Sequence, residues 1–299
     1  MNKLTLKSHA KINLTLEILG RLPSGYHQIL SVMQELELHD LITLKARHDN
    51  FIKIVCDKPY VPSNRRNIAW KAANLLRQKT GIKHAGVTIT IIKNIPVAGG
   101  LAGGSSNAAA TLCGLNRLWR LGLSADELMA IGAEIGMDVP FFILGGTAIA
   151  TERGEIVFPL APLPKFYVVV ANPGVGVSTK EAYQSLNLAD MLSDRITPKF
   201  ISALENGDRQ AIMGLLHNDF EKSISRKLPI ISEIKATMQE HGASNSMLSG
   251  SGSSVYCLMD SKTQAEIVCE GLQSKVPYVI VTASKSVLNR QDACSTESF

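Results

Sequence analysis

At 299 residues, with 45% apolar and 5% aromatic residues, the chain is long enough for two hydrophobic cores, and its composition excludes a fibrous or disordered protein. The longest membrane-like stretch, Leu128 to Ala150, is broken by Glu134 and Asp138, whose unpaired burial in lipid is costly, so no transmembrane span is expected. The net charge of +5 comes without a basic stripe, Arg65-Arg66 being the only adjacent basic pair in the first half, and such a balance suits an anionic small ligand as well as nucleic acid.

Met1 to Lys7 alternates polar and apolar residues and has no unbroken apolar core of a secretory signal, which points to the cytoplasm. Five cysteines, Cys56, Cys113, Cys257, Cys269 and Cys294, form an odd set with no C-x-x-C. Neither a disulfide framework nor a metal site is expected from them, and core thiols are.

From Leu4 to Leu19 apolar residues mostly alternate with polar ones, the period of a half-buried strand. Arg21 to Gly25 reads as a turn; Gln28 to Leu38, Leu41 to Ala46 and Phe51 to Cys56 are extended. Asn67 to Leu76 groups its apolar residues as a helix that Gly81 is placed to end, and Val87, Ile89 and Ile91 alternate as a strand. Ala108, Leu112, Leu115 and Trp119 then mark an amphipathic helix opened by Ser105 or Ser106, and a second helix runs from about Ser124 to Ile135.

Pro159, Pro162 and Pro164 fall within six residues and set the expected boundary between two domains, 1–160 and 161–299. Beyond it come a buried strand at Phe166 to Ala171, several helical stretches and a strand ending in Ser249-Gly250-Ser251-Gly252. Another strand at Val255 to Met259, a helix from about Thr263 and a last strand at Tyr278 to Ala283 complete the chain. This order predicts an α+β arrangement with helices on one side of an antiparallel sheet.

The segment Pro96 to Asn107 places four glycines between a strand and a helix. Glycine admits positive φ and close backbone approach, and a helix start presents unpaired N–H groups with partial positive charge; together they make an anion cradle. No lysine follows the glycines, so this is not a Walker loop, and the order is not that of a dinucleotide fold. By itself the pattern fits a structural turn as well as a phosphate site.

Pro96-Val97-Ala98-Gly99-Gly100-Leu101-Ala102-Gly103-Gly104-Ser105-Ser106-Asn107 resembles the ATP-binding signature of the GHMP kinases. Ala10-Lys11-Ile12-Asn13-Leu14 with Gly25-Tyr26-His27, and Gly136-Met137-Asp138-Val139-Pro140, extend the likeness in order and spacing. They are most similar to the branch of that superfamily acting on a cytidylyl diphosphate ester of methylerythritol. The resemblance also takes in Asn172-Pro173-Gly174-Val175 and the 249–252 loop, and it stops at Leu288. Ala98 and Ala102 depart from it, standing where that branch usually has glycine. The cradle keeps its shape if their φ angles are negative, and ATP binding is weakened if either must be positive.

The resemblance implies a two-domain GHMP fold, the N-terminal part like ribosomal protein S5 domain 2 and the C-terminal part ferredoxin-like. It also implies ATP as phosphoryl donor, Mg²⁺ held mainly by the nucleotide phosphates, and transfer to the 2-hydroxyl of the cytidylyl substrate. The ATP site would comprise Asn67, Pro96, Gly99, Gly100, Leu101, Gly103, Gly104, Ser105, Ser106 and Asn107. Asp138 would be the general base and Lys11 its cationic partner. Asn13, Tyr26, His27, Asp138, Tyr183, Gly250 and Gly252 would hold the acceptor, Tyr26 and Tyr183 on the two faces of the base and His27 at its edge.

Each of these residues also has a plainer reading. Asp138 at a helix-to-strand junction suits a cap, Lys11 in a strand suits a solvated face, Tyr26-His27 suits packing, Asn67 suits an N-cap, and Gly250 with Gly252 suits a tight turn. Two rival functions stay open: a GHMP kinase acting on mevalonate, homoserine or another small alcohol, and an S5-like nucleic-acid-binding protein. The leading reading expects neither nucleic acid nor membrane as partner, and a monomer or homodimer.

Overall fold

The computed structural model describes residues 2–23, 25–83, 85–186 and 194–286; Cys294 and the tail after Leu288 lie outside them. The chain opens with two long strands, β1 (Lys3–Arg21) and β2 (His27–Arg47), then β3 (Ile52–Cys56), helix α1 (Ile68–Thr80) and β4 (Gly86–Ile92). Helices α2 (Gly103–Leu118), α3 (Ala125–Ile135) and α4 (Val139–Leu144) follow, with strands β5 (Thr147–Thr151) and β6 (Ile156–Pro159). After the proline stretch come β7 (Tyr167–Asn172), α5 (Thr179–Gln184), α6 (Thr197–Glu205), α7 (Arg209–Gly214) and β8 (His217–Asn218). The remaining elements are α8 (Glu221–Lys227), α9 (Ile230–Glu240), β9 (Met247–Leu248), β10 (Val255–Met259), α10 (Lys262–Leu272) and β11 (Tyr278–Ala283).

Two sheets result. The first has the order β3-β4-β2-β1-β8, with β5 added to β2 and β6 to β5; the second is β11-β7-β10-β9, antiparallel throughout. Gln28 to Leu38 and Leu41 to Ala46, expected as separate stretches, are one strand because β1 pairs along its length, from Lys3↔Lys45 to Arg21↔His27. The 159–164 stretch carries the chain from β6 to β7, while β8, from the second half, pairs with Thr15 and Leu16 of β1.

Three apolar clusters fill the layers. Helices α1 to α4 pack on the first sheet through Leu4, Leu6, Ile42, Leu44 and Ile89. Ala10, Ile12 and Leu14 of β1 instead join Phe166, Val168, Val170 and Tyr256 between the sheets, and the outer face of the second sheet packs on α9 and α10. Side chains on a strand alternate between faces, so a change of face needs an irregularity. The β1–β2 register shifts between His9 and Lys11 and again between Asn13 and Thr15. The first shift moves even-numbered residues from the helix side to the inter-sheet core, and it turns Lys11 and Asn13 toward the helices.

Helix α1 forms as its sequence predicts, Asn67 accepting from Ala69 N at its start and Gly81 closing it at φ 64°. Cys257 is buried and Cys56 and Cys269 are half-buried free thiols. No helix among the described residues is long and apolar enough to cross a membrane.

Candidate active site

The glycine-rich segment runs from the end of β4 into α2. The helix begins at Gly103, with Ala102 in the N-cap position at φ 53° and no side-chain cap. Ser105 and Ser106 therefore lie inside the first turn, which corrects their expected role as caps: two glycines free of side-chain crowding let the helix start earlier. The turn leaves the N–H groups of Gly103, Gly104 and Ser105 uncapped by any side chain, with Gly104 exposed and Ser105 half-buried. Such a helix start attracts an anion.

Ala98 and Ala102 both adopt positive φ, 55° and 53°. The condition set by the sequence is thus met on its unfavourable side: both alanines hold a conformation that costs a residue with Cβ about 1–2 kcal/mol. The loop keeps its path because its neighbours fix it. Leu101 is buried and its carbonyl accepts from Lys11 N at 3.2 Å, while Gly99 O accepts from Ser254 N at 3.1 Å. Ser249 Oγ donates to Gly100 O at 3.0 Å. A Cβ on Gly100 would lie 1.9 Å from Ser249 O, so this contact between the halves of the chain requires glycine.

Lys11 sits beside that loop on β1, 4% exposed, and its ammonium donates to Asn13 Oδ1 at 2.6 Å. Asp138 Oδ1 lies 3.8 Å from the same nitrogen. Burial lowers the Lys11 pKa below the ordinary lysine value, and the Asp138 charge opposes that fall. Asp138 stands between α3 and α4 rather than between a helix and a strand. Val139 to Leu144 is a short apolar run, compatible with either element, and Pro140 in its first turn suits a helix. Asp138 makes no capping hydrogen bond; its carboxylate faces the lysine and is about one-third exposed to solvent.

Asn13 is committed at both ends of its amide, accepting from Lys11 and donating to Ser31 Oγ at 2.8 Å. Ser31 in turn donates to Thr15 O at 2.6 Å. Gly250 approaches the same place from the second half: a Cβ there would meet Asn13 Oδ1 at 3.3 Å and Gly100 O at 3.2 Å. Gly252 instead faces Leu248 and Ile224 in the core.

The His27 ring stacks on Tyr183 at 4.5 Å and 12°, and Tyr183 meets Phe220 edge-on at 4.9 Å. Burial, with the Asp138 charge as the second cause, pushes the Tyr183 hydroxyl up to about 12. Tyr26 is the residue expected across the base from Tyr183. It is 57% exposed, with the Arg153 guanidinium 5.4 Å from its ring centre. Glu155 holds Arg153 through Nε at 2.7 Å. Nothing in the sequence singles out Arg153, an ordinary residue of a turn 127 positions from Tyr26.

Three residues proposed for the nucleotide are engaged by the protein itself. The Asn67 amide caps α1 and donates to Pro62 O at 2.7 Å. Ser106 accepts from Ser8 Oγ at 2.7 Å, and Asn107 Nδ2 donates to Ser8 Oγ and Asp40 Oδ2 at 2.8 and 2.9 Å. Both lie under the loop, as does the buried Gly103, whereas Gly104 and Ser105 line its open side.

A family model of the GHMP kinases N terminal domain matches residues 67–146, and one of the GHMP kinases C terminal matches residues 200–277. A 4-diphosphocytidyl-2-C-methyl-D-erythritol kinase of Alkaliphilus metalliredigens (strain QYMF) is 46% identical over 272 residues, 91% of this chain and 93% of that protein. One from Geobacillus kaustophilus (strain HTA426) is 45% identical with the same coverage. The crystal structure of a 4-(cytidine 5'-diphospho)-2C-methyl-D-erythritol kinase superposes with a TM-score of 0.81 at 30% identity, covering 95% of this chain and all of that one. A homoserine kinase from Cytophaga hutchinsonii, at 17% identity and a TM-score of 0.76 over 96% of this chain and 95% of its own, shares the fold. The two-domain α+β GHMP kinase fold is thereby established, and the chain belongs to the 4-diphosphocytidyl-2-C-methyl-D-erythritol kinase family.

Proposed function

We propose that this chain transfers the γ-phosphoryl group of ATP to the 2-hydroxyl of 4-diphosphocytidyl-2-C-methyl-D-erythritol, a step toward isoprenoid precursors. The observation that carries the reading is the Lys11–Asp138 pair, 3.8 Å apart next to an open, glycine-lined helix start. The substrate hydroxyl oxygen attacks the γ-phosphorus, the bond from that phosphorus to the bridging oxygen breaks, and ADP leaves with that oxygen. Asp138 accepts the hydroxyl proton. The Lys11 ammonium, fixed by Asn13, keeps the carboxylate ionised and offsets charge on the moving phosphoryl group.

Gly103, Gly104 and Ser105 receive the nucleotide phosphates through backbone N–H groups. The described residues contain no group of three or more His, Cys, Asp or Glu placed to hold a metal. Mg²⁺ would be held mainly by the nucleotide's own phosphates and waters, with Ser105 as the protein hydroxyl beside them, and would supply charge neutralisation there. Tyr26, backed by Arg153, offers its free face to the cytosine, and His27 with Tyr183 bounds the space between base and hydroxyl. In this reading residues 1–160 hold the nucleotide, 161–299 close the cleft through Gly250, and the enzyme works in the cytoplasm, where ATP is supplied.

Mevalonate and homoserine kinases resemble this chain at 16% and 17% identity, a likeness of fold, whereas relatives above 40% over most of the chain carry the cytidylyl name. Initial rates with the cytidylyl substrate, mevalonate and homoserine, each with ATP, test the choice. The cytidylyl substrate should have the highest kcat/KM by several orders of magnitude; equal or better use of mevalonate or homoserine would refute it.

A further inference from the structure

Asp40 belongs to none of the segments that form the loop or the Lys11–Asp138 pair, yet its carboxylate is fully buried and accepts four hydrogen bonds. Oδ1 receives Asn94 N at 2.7 Å and Ile95 N at 2.9 Å. Oδ2 receives Lys93 Nζ at 2.6 Å and Asn107 Nδ2 at 2.9 Å. The donors come from both flanks of the phosphate loop: 93–95 immediately precede Pro96, and Asn107 lies one turn into α2. Lys93 Nζ also donates to Ile95 O at 2.7 Å, and a Cβ on Gly103 would come within 2.9 Å of it, so the ammonium lies directly under the first residue of the helix.

Between these flanks the backbone is unfavourable on its own account, with Ala98 and Ala102 in the left-handed region and no side-chain cap at the helix start. Such a path persists only where the surroundings over-determine it. A buried carboxylate with every acceptor site filled is a rigid tie, and leaving any of its donors unpaired is costly.

We infer that Asp40, with Lys93 as its counter-ion, is the positioning residue of the phosphate loop, locking its entry and exit in the one geometry that aims the α2 N–H groups at the nucleotide. The inference rests on the reading of that loop as the nucleotide site. A core ion pair with a purely structural role would alter stability and leave nucleotide affinity in the folded protein unchanged.

The amide-for-carboxylate exchange separates the two. Asp40→Asn keeps an oxygen for Asn94 and Ile95 but points an NH₂ at Lys93 and Asn107, breaking the helix-side tie. Asn107→Asp sets two carboxylates against each other. The double variant exchanges amide and carboxylate and restores the bond between positions 40 and 107 alone: the NH₂ introduced at position 40 still faces Lys93, and Ser8 Oγ, which donates to Ser106, loses the donor it had in Asn107. Calorimetric titration of the full chain with a non-hydrolysable ATP analogue, with thermal unfolding in parallel, should show each single variant weakened about tenfold or more. The double variant should bind about threefold or more better than the weaker single, short of wild type, because only the 40–107 tie returns. The KM for the acceptor should stay within about twofold in every folded variant, because the tie does not reach the acceptor side.

A folded Asp40→Asn protein with wild-type affinity overturns the inference, as does a double variant that binds no better than the weaker single or fails to fold. If Asp40→Asn does not fold alone, the double variant decides. Direct contact of Asn107 with phosphate predicts the opposite pattern, since the carboxylate introduced by Asn107→Asp would then repel the nucleotide in both backgrounds. Absence of analogue binding by the wild-type protein would instead refute the loop reading itself.

Discussion

The Lys11 ammonium lies 3.8 Å from the Asp138 carboxylate, and the two differ sharply in exposure: the lysine side chain is 5% exposed and the aspartate 36%. The separation exceeds a hydrogen bond, so the carboxylate has no tight internal donor and is open to accept one from a substrate hydroxyl. The buried member is held by Asn13, and the accessible member is the one proposed to meet the substrate.

Removing either group from the transition state should cost on the order of 3 kcal/mol, about a hundredfold in kcat. Lys11→Ala and Asp138→Asn should each show that loss in steady-state assays, with unfolding measured separately. Asp138→Asn should be near wild type in stability because its side chain makes no cap.

Raising pH removes the proton from Lys11, and burial places that event below the ordinary lysine range. Wild-type kcat should therefore fall on an alkaline limb lying below pH 10.5, and the residual rate of Lys11→Ala should lack that limb.

Ala98→Gly and Ala102→Gly relieve positive φ at 55° and 53°. Each should stabilise the fold by about 1 kcal/mol, the left-handed penalty less the greater freedom of glycine in the unfolded chain. Urea denaturation checks this, and a loss of stability would show that the alanine methyls are held by packing rather than merely tolerated.

Gly100→Ala should act in the opposite sense. Its φ is 77° and the added methyl would lie 1.9 Å from Ser249 O, forcing the phosphate loop and the 249–254 loop apart. A stability loss of about 2 kcal/mol or more and weaker ATP-analogue binding are expected, to be read by unfolding and calorimetry.

Much of this was legible from local signals. Asn67 and Gly81 bracket α1 because a cap and a left-handed terminator act on their own neighbours, and the glycine run announces close backbone approach wherever it occurs. What escaped depends on distant partners. Asp40 looks like any acid at the end of an apolar strand, and its donors lie 53 to 67 positions away. Val139 to Leu144 is apolar throughout, so its helical form was decided by packing against α2 and α3 rather than by pattern. Lys11 reads as a solvated strand residue until the β1–β2 register shift turns it inward.

His9 supplies a prediction about stability alone. Burial, aided by Lys285, holds its pKa down from 6.5 to about 3, with Nδ1 donating to Leu36 O at 2.8 Å. The unfolded chain therefore binds more protons between those values, and stability is present above pH 6.5 and lost as pH falls toward 3. Between pH 7 and 5 the loss from this residue should be about 2 kcal/mol. His9→Gln should show a correspondingly flatter decline in urea unfolding at the two pH values.

Analysis of the reaction product tests the central claim most directly. ATP and 4-diphosphocytidyl-2-C-methyl-D-erythritol, incubated with the wild-type chain and followed by ³¹P NMR and mass spectrometry, should yield ADP and one new phosphomonoester on the 2-hydroxyl. Asp138→Asn should form it about a hundredfold more slowly. No new ester from the folded wild-type protein, or an ester formed at an undiminished rate by folded Asp138→Asn, would contradict the account.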